Sequence, residues 1–166
     1  MWEYLSTGTG KVAGDRTVPM KNAQLDIDQL EPLVRRPDPS GAGTTQTEGL
    51  LRLEGVGPTT TPAKALYFQT AINEPGTRSL PHHHGEAETG AYVAEGHGRI
   101  YFGEGYGKHV DMFPGDFAYI PPYMPHVEAN MSTTERLVWM TARTPDNIVI
   151  DLDEVDDESL EGFERP

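Results

Sequence analysis

The chain is 166 residues long, enough for one domain with a sizeable core and short for two. It contains no cysteine, which rules out disulfides, thiolate metal sites and a cysteine nucleophile. A formal net charge of −13 argues against nucleic acid or an anionic membrane surface as partner, because both require clustered Lys and Arg.

Residues 1–45 are rich in Gly, Pro and Thr, and Pro19, Pro32, Pro37 and Pro39 interrupt any long element, so this stretch is predicted to be an irregular arm. Its apolar residues Leu25, Ile27, Leu30, Leu33 and Val34 offer one face to the folded body or to a neighbouring subunit. The Met1-Trp-Glu-Tyr-Leu start lacks a basic stretch followed by an apolar run, and no segment approaches the roughly 20 apolar residues that cross a bilayer; a cytoplasmic protein is expected. From 46 to 150 the pattern changes to short β-type runs at 49–53, 65–72, 91–94, 99–102, 117–120, 137–143 and 148–152. Gly- and Pro-bearing turns separate them, including Asn73-Glu-Pro-Gly76, Gly103-Glu-Gly-Tyr-Gly107 and Pro114-Gly115-Asp116. An all-β sandwich or barrel follows. Residues 151–166 carry eight acids against one arginine, so much of the negative charge is local to this tail, which is expected to be a solvated or frayed end.

Four of the six histidines fall in two places, His82-His83-His84 and His126. Alternate side chains of a strand share a face, so His82 and His84 converge while His83 points away. Glu88 follows a turn at Gly85 that could bring its carboxylate to the same centre, and His126 must come from a distant strand. Nitrogen and oxygen donors of this kind suit a divalent first-row metal.

The two places sit in matching frames. Gly76, five residues, His82-x-His84, three residues and Glu88 form the first; Gly115, five residues, Pro121-x-Tyr123, two residues, His126, three residues and Asn130 form the second. Together they resemble the two conserved motifs of the cupin superfamily, over about residues 65 to 145. The resemblance implies a double-stranded β-helix barrel, similar to a jelly roll, with metal ligands at His82, His84, Glu88 and His126. Two departures stand out. Tyr123 occupies a position where the family usually has glycine, and a bulky turn there would narrow the mouth or touch substrate. Seven residues rather than six separate Glu88 from Gly96, which places Thr89 in the expected phase. Either a bulge near Gly90 returns Glu88 to the metal, or water replaces the carboxylate; Glu86, in phase with His82 and His84 if their strand continues, is a third option.

Such a centre, with Fe, Mn, Ni, Cu or Zn as the divalent metal, leaves positions open for a small-molecule substrate. The resemblance implies a metal-dependent enzyme acting on a small oxygenated, aromatic or polyketide-like molecule, with a dioxygenase as the leading expectation. A non-redox cyclase, isomerase or epimerase using the metal as a Lewis acid is the alternative. A third option is a non-catalytic cupin subunit or ligand sensor. Tyr92 and Tyr101 are candidates for pocket residues offering a phenolic hydroxyl, if their parity turns them inward. Arg99 and Arg143 read as isolated cations rather than a clamp, which points to a flat, uncharged or aromatic substrate. A homodimer in which the arm covers a neighbour's exposed sheet edge is also expected.

Overall fold

The computed structural model describes residues 31–36, 49–145 and 147–166. Residues 31–36 form no regular element, and Leu33 and Val34 are exposed; the packing expected of the arm otherwise falls outside the described residues. Ten strands organise the remainder. They are β1 (Leu50–Val56), β2 (Tyr67–Asn73), β3 (His82–His83), β4 (Glu88–Glu95), β5 (Gly98–Phe102), β6 (Lys108–Met112), β7 (Phe117–Ile120), β8 (His126–Asn130), β9 (Leu137–Thr144) and β10 (Ile150–Asp151). Among the described residues there is no α-helix, and hence none long and apolar enough to cross a membrane.

The strands form two five-stranded antiparallel sheets, ordered β1-β2-β9-β4-β7 and β10-β3-β8-β5-β6. This is the all-β, two-sheet architecture expected from the sequence. Alternation along each strand decides what faces inward. In β9, Leu137, Trp139, Thr141 and Arg143 are buried while the residues between them are only partly so. In β2 the same period buries Tyr67, Gln69, Ala71 and Asn73. β6 was not predicted, because Lys108, His109 and Asp111 disguise a strand whose ladder to β5 is complete from Gly98–Met112 to Phe102–Lys108.

The space between the sheets is apolar at one end and polar at the other. Ala71, Ala91, Val93, Ile100, Met112, Ile120, Leu137 and Trp139 fill the apolar end. Trp139 dictates a glycine opposite it, since a Cβ on Gly98 would lie 2.5 Å from the indole ring. At the polar end the same alternation carries histidine, arginine, glutamate and threonine inward, and the candidate site lies there.

The acidic tail departs from expectation. Leu160 and Phe163 are buried with Tyr101, Val127 and Ala129 on the outer face of the second sheet. Arg78 donates to Asp157 at 2.6 Å and to the Val155 carbonyl at 2.6 Å, and Arg99 donates to the Glu161 carbonyl at 2.6 Å. Two apolar side chains and the carbonyls caught by these arginines hold the segment down, so it is neither frayed nor fully solvated despite its charge.

Candidate metal centre

β3 and the turn after it place His82 and His84, and β8, paired to β3 through His82 and His126, places the third imidazole opposite them. The ring centroids lie 4.4 Å (His82 to His126), 4.9 Å (His82 to His84) and 5.0 Å (His84 to His126) apart. Each ring is fixed by its Nδ1, which donates to a backbone carbonyl: Leu80 for His82 at 2.8 Å, Ile148 for His84 at 2.9 Å and Met124 for His126 at 2.9 Å. A proton held at Nδ1 leaves the Nε2 lone pair free to serve as a ligand. Gly85, at φ 55°, turns the chain immediately after His84, and its carbonyl accepts the Tyr123 amide at 2.7 Å.

The carboxylate comes from an unexpected position. Glu128, two residues beyond His126 on the same face of β8, is buried with Oε1 3.9 Å from His126 Nε2. One ligand atom from each of His82, His84, His126 and Glu128 lies within 4.8 Å of the others, a group that could hold a metal ion. Glu88 is corrected. The ladders of β4 to β7 and β9 run without interruption from Thr89 to Tyr92, so no bulge near Gly90 returns it inward. The bulge lies further on, between Val93 and Glu95. Thr89 therefore faces the interior, while Glu88 is exposed and accepts the Tyr119 hydroxyl at 2.7 Å. Glu86 is exposed as well. The sequence did hold a signal for Glu128, since the alternation that pairs His82 with His84 also pairs His126 with Glu128.

Tyr92 and Tyr101 are corrected too. Tyr92 lies on the outer face of the first sheet, its ring 4.7 Å from that of Phe117, in an apolar groove with Phe68, Met140 and Ala142. This groove lies on the face of the sheet opposite the buried Ala91 and Val93. Tyr101 is fully buried, but beneath the C-terminal tail, with its hydroxyl donating to the Glu161 carbonyl at 2.8 Å. Tyr123 is exposed beside His83, with ring centroids 6.1 Å apart, outside the cluster.

The arginines are corrected as well. Arg143 is buried on the inner face of β9; its Nε donates to Thr89 Oγ1 at 3.1 Å, one terminal nitrogen to Asn147 Oδ1 at 2.5 Å and the other to His84 Nε2 at 3.1 Å. Arg52, on the inner face of β1, is also buried. The expectation that Arg143 stands alone fails because β1 and β9 are both bonded to β2, which turns two distant arginines into one interior.

Electrostatics follow from this burial. Removal from water holds His82 down at about 4 and His84 at about 3, and lowers His126, so all three rings are neutral near pH 7. Burial acts to raise Glu128, but the cationic groups around it prevail and hold it at about 2. At the acid pH where Glu128 titrates, the protonated His82 and His126 rings act most strongly, followed by Arg143 and Arg52. Arg143 itself is lowered by burial to about 10 and stays charged. The donor set fits a metal: Nε2 of both His82 and His126 is buried without a hydrogen-bond partner, an arrangement that a cation would satisfy. At His84 the ion would displace the Arg143 hydrogen bond.

Residues 70–143 match the cupin domain family. Similar solved structures include KdgF from Halomonas sp., at 16% identity and TM-score 0.52, aligned over 63% of this chain and 86% of that one. The polyketide cyclase RemF from Streptomyces resistomycificus is similar at 17% identity and TM-score 0.56, over 69% of this chain and 78% of that one. Oxalate decarboxylase from Lactobacillus farciminis, in its formate complex, is similar at 20% identity and TM-score 0.57, over 70% of this chain and 33% of that one. The present chain thus corresponds to about a third of the decarboxylase. At these identities the likeness concerns the fold. No curated protein matches the sequence.

Proposed function

From the cupin domain at residues 70–143, we propose that the protein is a metal-dependent enzyme in which His82, His84, His126 and Glu128 hold one divalent first-row metal and present it to a small oxygenated substrate. The observation that carries this reading is the set of three inward imidazoles, each with Nδ1 tied to a carbonyl and Nε2 turned toward the others. Such an ion supplies Lewis acidity and, if redox-active, a route for electrons between substrate and dioxygen. The chain's own residues orient and shield. The carbonyls of Leu80, Ile148 and Met124 fix the tautomers, Arg143 and Arg52 keep Glu128 ionised, and the apolar end around Trp139 closes the other side to water.

Within this reading, dioxygenation is favoured over cyclisation or isomerisation. The non-redox reactions need a group that moves protons on the substrate. Once the four ligands are engaged, the described interior offers few such groups. Glu54 Oε1 is held by the Thr59 and Thr60 amides and the Thr60 hydroxyl, and the Tyr67 hydroxyl donates to Gln69 at 3.1 Å. Burial raises the Tyr67 phenol further from the range useful near neutrality.

The test is elemental analysis of the protein as purified, followed by oxygen uptake by iron-, manganese-, nickel- and copper-loaded protein with catechols, diketones and hydroxy acids. Stoichiometric metal and substrate-dependent uptake are expected. Zinc alone, with turnover retained in the absence of oxygen, would move the assignment to the Lewis-acid reactions, and a protein that retains no metal would end it.

A further inference from the structure

Arg52 is a buried cation with no hydrogen-bond or ion-pair partner among the described residues. The residue is 6% exposed, one terminal nitrogen is fully enclosed without a hydrogen bond, and among the described residues no carboxylate lies within ion-pair distance. A guanidinium left this way is among the costlier arrangements a protein interior can hold. Asn73 lies diagonally across the β1–β2 ladder, on the same inner face, and both atoms of its side-chain amide are buried without partners. Thr141 Oγ1, on the inner face of β9, is a further unpartnered atom. Donors and acceptors left open on three adjacent strands mark a place for a polar guest.

The charge balance indicates which guest. Arg52 acts electrostatically on Glu128, His82 and Arg143, so it shares the interior with the proposed metal centre. Counting Glu54 with Glu128, the charges of Arg52 and Arg143 are balanced before any metal is added. A divalent ion then adds two positive charges that no side chain of the described interior offsets. Arg143 stays tied to Thr89 and Asn147 even when an ion takes its place at His84, whereas Arg52 has an enclosed terminal nitrogen with no hydrogen bond.

We propose that Arg52, assisted by the Asn73 amide, binds a carboxylate of the substrate, so that the enzyme acts on a small hydroxy or oxo acid. A guanidinium matches the two oxygens of a carboxylate in one plane, and the neighbouring amide can donate to the same oxygens or to an adjoining hydroxyl. The chelating oxygens of such an acid face β3 and β8, and its carboxylate faces β1 and β2. This inference rests on the metal-enzyme reading above and replaces the uncharged substrate expected from sequence, because the two arginines that seemed isolated meet inside the barrel.

The experiment measures binding to the full-length, metal-loaded protein by calorimetry, using malonate, malate and 2-oxoglutarate beside their methyl esters, for wild type and Arg52→Gln. Wild type should prefer at least one acid over its ester. In Arg52→Gln reloaded to the wild-type metal content, the acid should bind about 10- to 100-fold more weakly, with ester binding unchanged. Wild type that binds no acid at about 1 mM, or binds acid and ester alike, overturns the proposal, as does a preference that survives in Arg52→Gln. Should that variant not fold, Arg52→Lys keeps the charge but loses the fork, and an unchanged preference there overturns it equally. Repeating the titration after chelation separates the two readings. Acid binding that needs Arg52 but no metal defeats the metal assignment alone, and retained metal without acid preference defeats this one alone.

Discussion

Two glutamates near the cluster have opposite fates, and each is decided by one step of strand parity. Glu128 follows His126 by two and points inward; Glu88 lies one residue before the inward Thr89 and points to solvent. Glu88→Gln should therefore leave metal content unchanged, whereas Glu128→Gln should weaken metal retention about 10- to 100-fold, read by competition with a chromogenic chelator. His126→Ala should lose the metal outright while circular dichroism still reports a folded β protein. Equal loss in Glu88→Gln and Glu128→Gln would return the carboxylate to an open question.

Single elements carry strain and support that the motif does not reveal. Tyr123, in the turn between β7 and β8, has φ 60°, a left-handed conformation that glycine adopts without penalty. Tyr123→Gly should raise stability by up to about 1 kcal/mol in urea unfolding, because relief of the backbone outweighs the added freedom of the unfolded chain. The C-terminal segment behaves as a clasp on β5 and β8. Phe163→Ala should cost about 3 kcal/mol through the cavity it leaves against Tyr101 and Val127. Tyr101→Phe removes the hydroxyl's bond to the Glu161 carbonyl and its weaker contact with Met131 Sδ and should cost about 1 kcal/mol, with metal content unaffected. A loss of metal in that variant would contradict the placement of Tyr101 outside the site.

At the scale of the whole molecule, the interior concentrates ionisable groups, and acid should find them. In the metal-free protein His82 and His84 take up protons at about 4 and about 3, against about 6.5 when unfolded. The unfolded state thus binds more protons between these limits, and stability should fall as pH drops from about 6.5 towards 4. Glu128, lowered to about 2, contributes its full stability above the ordinary carboxylate range and loses it progressively from there down to about 2, which adds to the decline at the acid end of that window. Calorimetric melting of chelator-treated protein at pH 7, 5.5 and 4 should show this decline; a flat profile would mean that the histidines are not held neutral by burial. By itself the sequence determined an all-β chain, three histidines on shared faces and a centre without thiolates, because period-two alternation and the absence of cysteine are local facts. Only the tertiary structure decided which carboxylate joins them, that Arg52 and Arg143 share one interior, that Tyr92 and Tyr101 lie outside it and that the acidic tail packs down. Those outcomes depend on the register of β4 against β7 and β9 and on which strands become neighbours, and both are set by contacts between residues far apart in the chain.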